Sequence, residues 1–289
     1  MNSLSQRPIC CATGSASFPL AQAFTPGLRK PNKSFQPPSG GFPGTALATG
    51  RKIALACLAL AILFTPPLPA FQLDVAPPAA SILAPLEARL TADADNLQLG
   101  SEYRKAVVRL EEYDRGIAFF EKLVASHPSA AYAHLNFGFS YVDKVPAAGS
   151  ITQVILANNA LGEFTKSIEL RSSWIALYTR GNSYLYWPRI FGRASLGVAD
   201  LETAMKVQKA DRKRSYHVRV YVSLGDGHWK MDALDKARAV WEEGLREFPG
   251  NPQLTARLSK TGDDLKAVMD DAYDITKRID TSLEELWAD

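Results

Sequence analysis

From about Ala79 to the C-terminus, apolar residues recur three and four positions apart with few breaks, which is the helical period. No convincing alternation of apolar and polar positions marks a strand. The stretch "ASILAPLEARLTAD" (80–93) predicts a leading helix. Beyond it, small residues punctuate the pattern in a recurring order. "YDRGIAFFEKLVASHP" (113–128) carries Tyr113, Gly116, Phe120, Leu123 and Pro128. "AYAHLNFGFSY" (131–141) places Ala131, Ala133 and Gly138 among Phe137 and Tyr141, and "WIALYTRGNSY" (174–184) repeats that order with Gly181 and Tyr184. Between and after them come Ala160, Phe164 and Ser167, then Gly197, Leu201 and Ala204. A last round reads Leu224, Gly225, Ala237, Trp241, Gly244, Leu245 and Pro249. The starts fall near 97, 131, 174 and 218, giving four units, 97–130, 131–173, 174–217 and 218–251.

These spacings resemble the tetratricopeptide repeat, a helix–turn–helix unit of about 34 residues. The resemblance covers about 97–251. It implies an all-α solenoid, a right-handed superhelix of hairpins whose two helices, A and B, cross closely. Gly116, Gly138, Ala160, Gly181, Gly197, Gly225 and Ala237 then stand where the helices meet. Without bulky side chains there, two backbones can approach to the lower end of the usual interaxial distance of about 8–10 Å. One such unit cannot bury its own apolar face, so units must stack and the ends need polar caps. Residues 71–96 provide a linker and leading helix, and 252–289 are expected to form capping helices, with Leu258, Leu265, Val268, Met269, Tyr273 and Ile275 over the last unit.

The starts are 34, 43 and 44 residues apart, so the second and third units are enlarged. "VDKVPAAGSITQVILANN" fills the A–B turn of the second, and "LYWPRIFGRASLG" that of the third. In the latter Pro188 stops a helix and Gly192 permits the reversal. Tyr186, Trp187, Ile190 and Phe191 either fold back over Val145, Ile151 and Val154 of the neighbouring insertion, or form an exposed patch flanked by Arg189 and Arg193. Trp, Tyr and Arg are the residue types enriched at interface hot spots.

In the family that the repeats resemble, helix A faces the concave groove. Carried over, the groove positions are Tyr132, Leu135, Asn136 and Phe139, then Tyr178, Thr179, Asn182 and Leu185, then Arg219, Val222, Asp226 and Trp229. The asparagines suit a bound backbone and the aromatics suit apolar side chains. Relatives that clamp a chaperone's terminal carboxylate use several Lys, Arg and Asn. The matching positions here are Ser101, Lys105, Asn136, Ile175 and Thr179, of which only Lys105 and Asn136 fit, so another protein or peptide segment is the expected partner.

Apolar content of 46% and charged content of 22% are ordinary for a globular chain. The net charge of +3 is unevenly spread. Six of the 33 Lys and Arg precede residue 71, and all 30 Asp and Glu follow it, so the body has a slight acidic excess. A nucleic-acid partner is not expected without a basic patch. Cys10, Cys11 and Cys57 all lie in the leading part, so the body can form neither a disulfide nor a thiolate–metal site. Residues 1–50 are rich in Ser, Thr, Pro, Gly and Ala and are expected to be a disordered targeting or spurious extension. "RKIALACLALAILFTPPLPA" (51–70) places two cations before a twelve-residue apolar run, Ile53 to Phe64. That suits a secretory core of about 7–15 residues better than a bilayer span of about 20. Export with cleavage near Ala70 is the expectation, to the bacterial periplasm or, through a bipartite leader, to the thylakoid lumen. The alternative retains 53–64 as a membrane anchor on a structural component of an envelope or thylakoid complex.

Chemistry is sparse. His127, His134, His217 and His228 are scattered, without H-E-x-x-H spacing. There is no G-x-G-x-x-G, P-loop or G-x-S-x-G. Glu111, Glu112, Asp270 and Asp271 read as solvated helix faces, and the basic "KADRKRS" (209–215) as a linker. No catalytic, metal or cofactor site is expected, and the chain reads as a scaffold rather than an enzyme.

Overall fold

The computed structural model describes residues 79–288. The expected leader, export segment and first linker residues lie outside the described residues. Among those described, all regular structure is helical. In chain order the α-helices are α1 (Ala79–Ala92), α2 (Leu97–Leu110), α3 (Tyr113–Ser126), α4 (Ala131–Lys144), α5 (Ser150–Leu170), α6 (Trp174–Leu185), α7 (Ala194–Lys209), α8 (Val218–Lys230), α9 (Leu234–Glu247), α10 (Pro252–Leu258) and α11 (Gly262–Ala272). None of these helices is long and apolar enough to cross a membrane.

Helices α2–α3, α4–α5, α6–α7 and α8–α9 form four consecutive hairpins, and each packs on the next through α3 on α4, α5 on α6 and α7 on α8. Starts are set locally. The Asn96 side chain accepts the Leu99 N–H at 2.9 Å, Ser173 that of Ala176 at 3.3 Å, and Asn251 those of Gln253 and Leu254 at 3.1 Å. Each satisfies a donor the helix itself leaves free.

The α4–α5 and α6–α7 crossings bring backbone against backbone, and the α8–α9 crossing brings backbone against a ring. A Cβ built on Gly197 would stand 2.6 Å from the Gly181 carbonyl oxygen, and one on Gly181 3.0 Å from that of Gly197. At Gly138 it would run into the Phe164 ring and lie 3.1 Å from the Ala160 carbonyl oxygen. At Gly225 it would overlap the Trp241 indole. Ala160 and Ala237 are buried at the same level. This tandem hairpin packing is the all-α arrangement that the resemblance to the tetratricopeptide repeat implies.

The second insertion is mostly helix. Val145–Ala147 form a 3-10 turn, and "SITQVILANN" contains no breaker, so it extends the front of α5 to 21 residues. The third is a 3-10 turn, Arg189–Phe191, closed by Gly192 at φ 64.

Helix α1 covers one end through Leu83 and Leu90. At the other end α10 and α11 supply Leu254, Leu265 and Met269 to the core around Trp241. The expected cap at 252–289 is shorter than its sequence. Helix stops at Ala272, and 274–288 leave the end of the array to run back along the first helices of the hairpins. Two aspartate turns shape the non-helical path beyond Ala272. Asp274 accepts the Thr276 N–H at 2.9 Å and Asp280 that of Ser282 at 2.9 Å, local turns that compete with helical bonding. Ile275, expected over the last unit, is exposed.

Candidate functional site: a groove that holds the chain's own C-terminal segment

The first helices, α2, α4, α6 and α8, share one face, and residues 281–287 lie across it. Arg104 on α2 is at its centre, only 2% exposed. Its Nε donates to Asn136 Oδ1 at 3.0 Å, one Nη to Asp143 Oδ2 at 3.1 Å, and the other to the Thr281 carbonyl at 2.7 Å. The guanidinium also lies 4.6 Å from the Phe139 ring centroid. Burial pulls Arg104 below its ordinary pKa, and Asp143 opposes that pull. Asp143 accepts the Thr281 hydroxyl as well, and the Ser101 hydroxyl donates to the Ser282 carbonyl. Two successive main-chain carbonyls are thus received by side chains of α2.

Leu283 follows, 6% exposed, among Leu135, Phe139, Ile175 and Ala176, with Tyr132, Tyr178, Leu286 and Trp287 at the rim. Two carboxylates flank it: Glu284 pairs with Lys105, and Glu285 with Arg219 at 3.0 Å. Burial pushes the Asp280 carboxyl up, but hydrogen bonds from Ser282 and the Arg219 and Lys105 charges outweigh it, holding its pKa below the usual value. Leu283 itself has φ 57, the left-handed region that disfavours a side chain with Cβ. Beside it is a mainly apolar cavity of about 130 Å³, walled by Val142, Leu161, Asn182, Tyr186, Trp187 and Ile279.

The groove positions carried over from the family divide. Tyr132, Phe139, Tyr178 and Arg219 line the segment's path. Tyr178 stacks on Trp174 at 5.3 Å, and Arg171 covers the Tyr132 ring at 4.7 Å. Asn182 accepts the Ser223 hydroxyl at 2.9 Å and borders the cavity. Asn136 does not meet a bound backbone. It is buried, orienting Arg104 and donating to the Tyr132 carbonyl at 3.0 Å. Asp226 is sealed off at 0% exposure, where it accepts from Arg257 at 2.6 and 2.7 Å, Tyr273 at 2.9 Å and Trp241 at 3.2 Å, fastening the cap to the last hairpin. Trp229 lies under the Arg189 guanidinium at 4.3 Å, towards the α6–α7 turn.

In that turn the two sequence readings share the residues. Trp187 is half-buried, with Arg193 3.6 Å above its ring and Phe191 edge-on at 5.7 Å, and Arg193 donates to Asn158 of α5 at 3.1 Å. Tyr186 packs on Tyr273 at 5.1 Å. Ile190 (88%) and Phe191 (56%) stay exposed, as do Ile151 (81%), Val154 and Ile155 on α5. Among the described residues, no cluster of three or more His, Cys, Asp or Glu could hold a metal ion.

Sequence reasoning missed Arg104, Asp143 and the returning segment. The available signal was a pair of opposite charges on the inward faces of α2 and α4.

The chain matches no protein-family model and no curated relative. It is similar to solved structures of repeat proteins. TTC0263, a thermophilic TPR protein in Thermus thermophilus, matches at TM-score 0.46 and 16% identity over 63% of this chain and 89% of that one. MamA matches at 0.44 and 19% over 64% and 95%. YrrB, described as a TPR protein with an unusual peptide-binding site, matches at 0.43 and 16% over 70% and 88%.

Proposed function

We propose that this chain is an interaction scaffold whose first-helix face holds an extended segment of a protein, as an assembly or adaptor factor rather than an enzyme. One observation carries the reading: the face already holds a chain segment in the manner of a bound peptide. Main-chain carbonyls are received by Arg104 and Ser101, one apolar side chain is buried, and carboxylates meet Lys105 and Arg219. Main-chain contacts supply affinity and side-chain slots supply selectivity in such recognition.

A photo-reactive residue at Asn182, bordering the cavity, is expected to capture a polypeptide that the same residue at exposed Gly162 on α5 does not capture. Equal capture at both positions, or none at 182, refutes the reading. The body's delivery across a membrane is part of the proposal and rests on the leader alone. N-terminal sequencing of the mature protein is expected to start near Phe71, and an intact residue 51 would favour the anchored alternative.

A further inference from the structure

We propose that residues 281–287 are a built-in competitor, displaced by an acidic segment of another polypeptide that carries a leucine followed by two carboxylates and a larger apolar side chain ahead of them. This rests on the reading of the groove as a segment-binding face, and it adds the ligand's chemistry and its control.

The ligand class follows from what the groove offers. Arg104, Lys105 and Arg219 face Asp143, Asp280, Glu284 and Glu285, and of these carboxylates only Asp143 belongs to the groove. Without the segment, Lys105 and Arg219 lose their carboxylate partners and Arg104 keeps Asp143 alone, on a face whose α2 edge also carries Glu102. That charge suits an acidic chain. The slot that takes Leu283 sets the spacing between the received carbonyls and the two acidic side chains.

The tail is an imperfect occupant, which makes it replaceable. Leu283 is held in a left-handed backbone conformation. The cavity of about 130 Å³ beside it is walled mainly by apolar groups and offers room for a larger side chain than the tail's. A larger apolar side chain seated there would take more apolar surface out of water than the tail does. The Lys105–Glu284 pair has both side chains more than half exposed, where ion pairs contribute little. What favours the tail is its attachment, because a tethered segment meets its site at high effective concentration. A free segment that fills the cavity can offset that advantage.

The test uses the full-length chain and two labelled peptides, the sequence of residues 277–287 and the same peptide with Ile279→Trp, read by fluorescence anisotropy. Two tail variants open the groove: Leu283→Ala, and Glu284→Lys/Glu285→Lys, whose changes lie outside the core. A groove occupied nine times in ten weakens a competing ligand about tenfold. Both peptides should therefore bind at least about tenfold more tightly to the tail variants than to the unaltered chain. The Trp peptide should be the tighter on each. Lys105→Glu/Arg219→Glu should abolish binding. If Leu283→Ala loses helical circular dichroism, the charge-reversed variant decides alone. Equal affinity for unaltered and tail-variant chains overturns the proposal, as does binding to none of them. A chain that sediments as a dimer and falls to a monomer in the charge-reversed variant overturns it too, assigning the tail to a second copy. Failure here with capture at Asn182 intact removes the competitor and leaves the groove; loss of capture at Asn182 removes the groove itself.

Discussion

Replacing Gly197 with alanine tests the hairpin crossing at its tightest point. The new Cβ would stand 2.6 Å from the Gly181 carbonyl oxygen, 3.1 Å from a Leu185 methyl and 3.2 Å from the Tyr184 Cβ. The first of these is backbone within a helix, so no side-chain rotation relieves it. Helices α6 and α7 must move apart by a fraction of an ångström, and Leu185, Leu201 and Ala204 lose contact as they do. Overpacking of this kind costs about 1–3 kcal/mol, and the separation forfeits further dispersion energy. Alanine returns about 1 kcal/mol through its better helix propensity. The net expectation is a loss of about 1–2 kcal/mol. Gly162→Ala in α5 is the control, since nothing lies within 4 Å of its added Cβ. It keeps the propensity gain and should stabilise by about 0.5–1 kcal/mol. Equilibrium urea unfolding followed by circular dichroism should move the two midpoints in opposite directions. Two alanine variants that are equally stabilised would refute the close crossing.

Asp226→Asn leaves the Arg257 guanidinium buried without its partner and should cost about 3–5 kcal/mol in thermal unfolding, with Asp226→Asn/Arg257→Met recovering part of it. Arg104→Met strands the Asp143 carboxylate and the Thr281 carbonyl, so amide hydrogen exchange across 281–287 should accelerate at least about tenfold while that of α9 is unchanged. Burial, and then the Arg189 charge, lowers the pKa of Lys230 from 10.5 to about 8. Between those values the unfolded chain binds more protons, so stability should rise as pH increases from about 8 towards 10, and Lys230→Met should flatten the rise. Above about 10 the sign reverses. Burial raises the phenols of Tyr103, Tyr186 (to about 12) and Tyr273, so the folded chain then keeps protons that the unfolded chain releases, and unfolding titrations should show the fall.

The all-α repeat fold was legible because its determinants are close in sequence. Gly181 meets Gly197 inside one hairpin, so a small-residue rhythm reports the crossing directly. The site was less legible because it joins distant residues. Ser101 meets Ser282 and Arg104 meets Thr281, contacts between opposite ends of the described chain that no local period encodes. Asp226 shows the same limit. Its helix position puts it on the inward face, yet its partners Arg257 and Tyr273 come from beyond the repeats and close it off. The aspartate turns at Asp274 and Asp280 are a local signal, and they mark where the cap ends, not where the segment goes.

Photo-leucine in place of Leu283 tests the occupied groove most directly, because the substitution nearly preserves shape. Illumination of the purified full-length chain should yield intrachain crosslinks to α4 and α6, at Leu135, Phe139 or Ile175, in a species of monomer mass. Crosslinks confined to a second chain, or none to those helices, would contradict it.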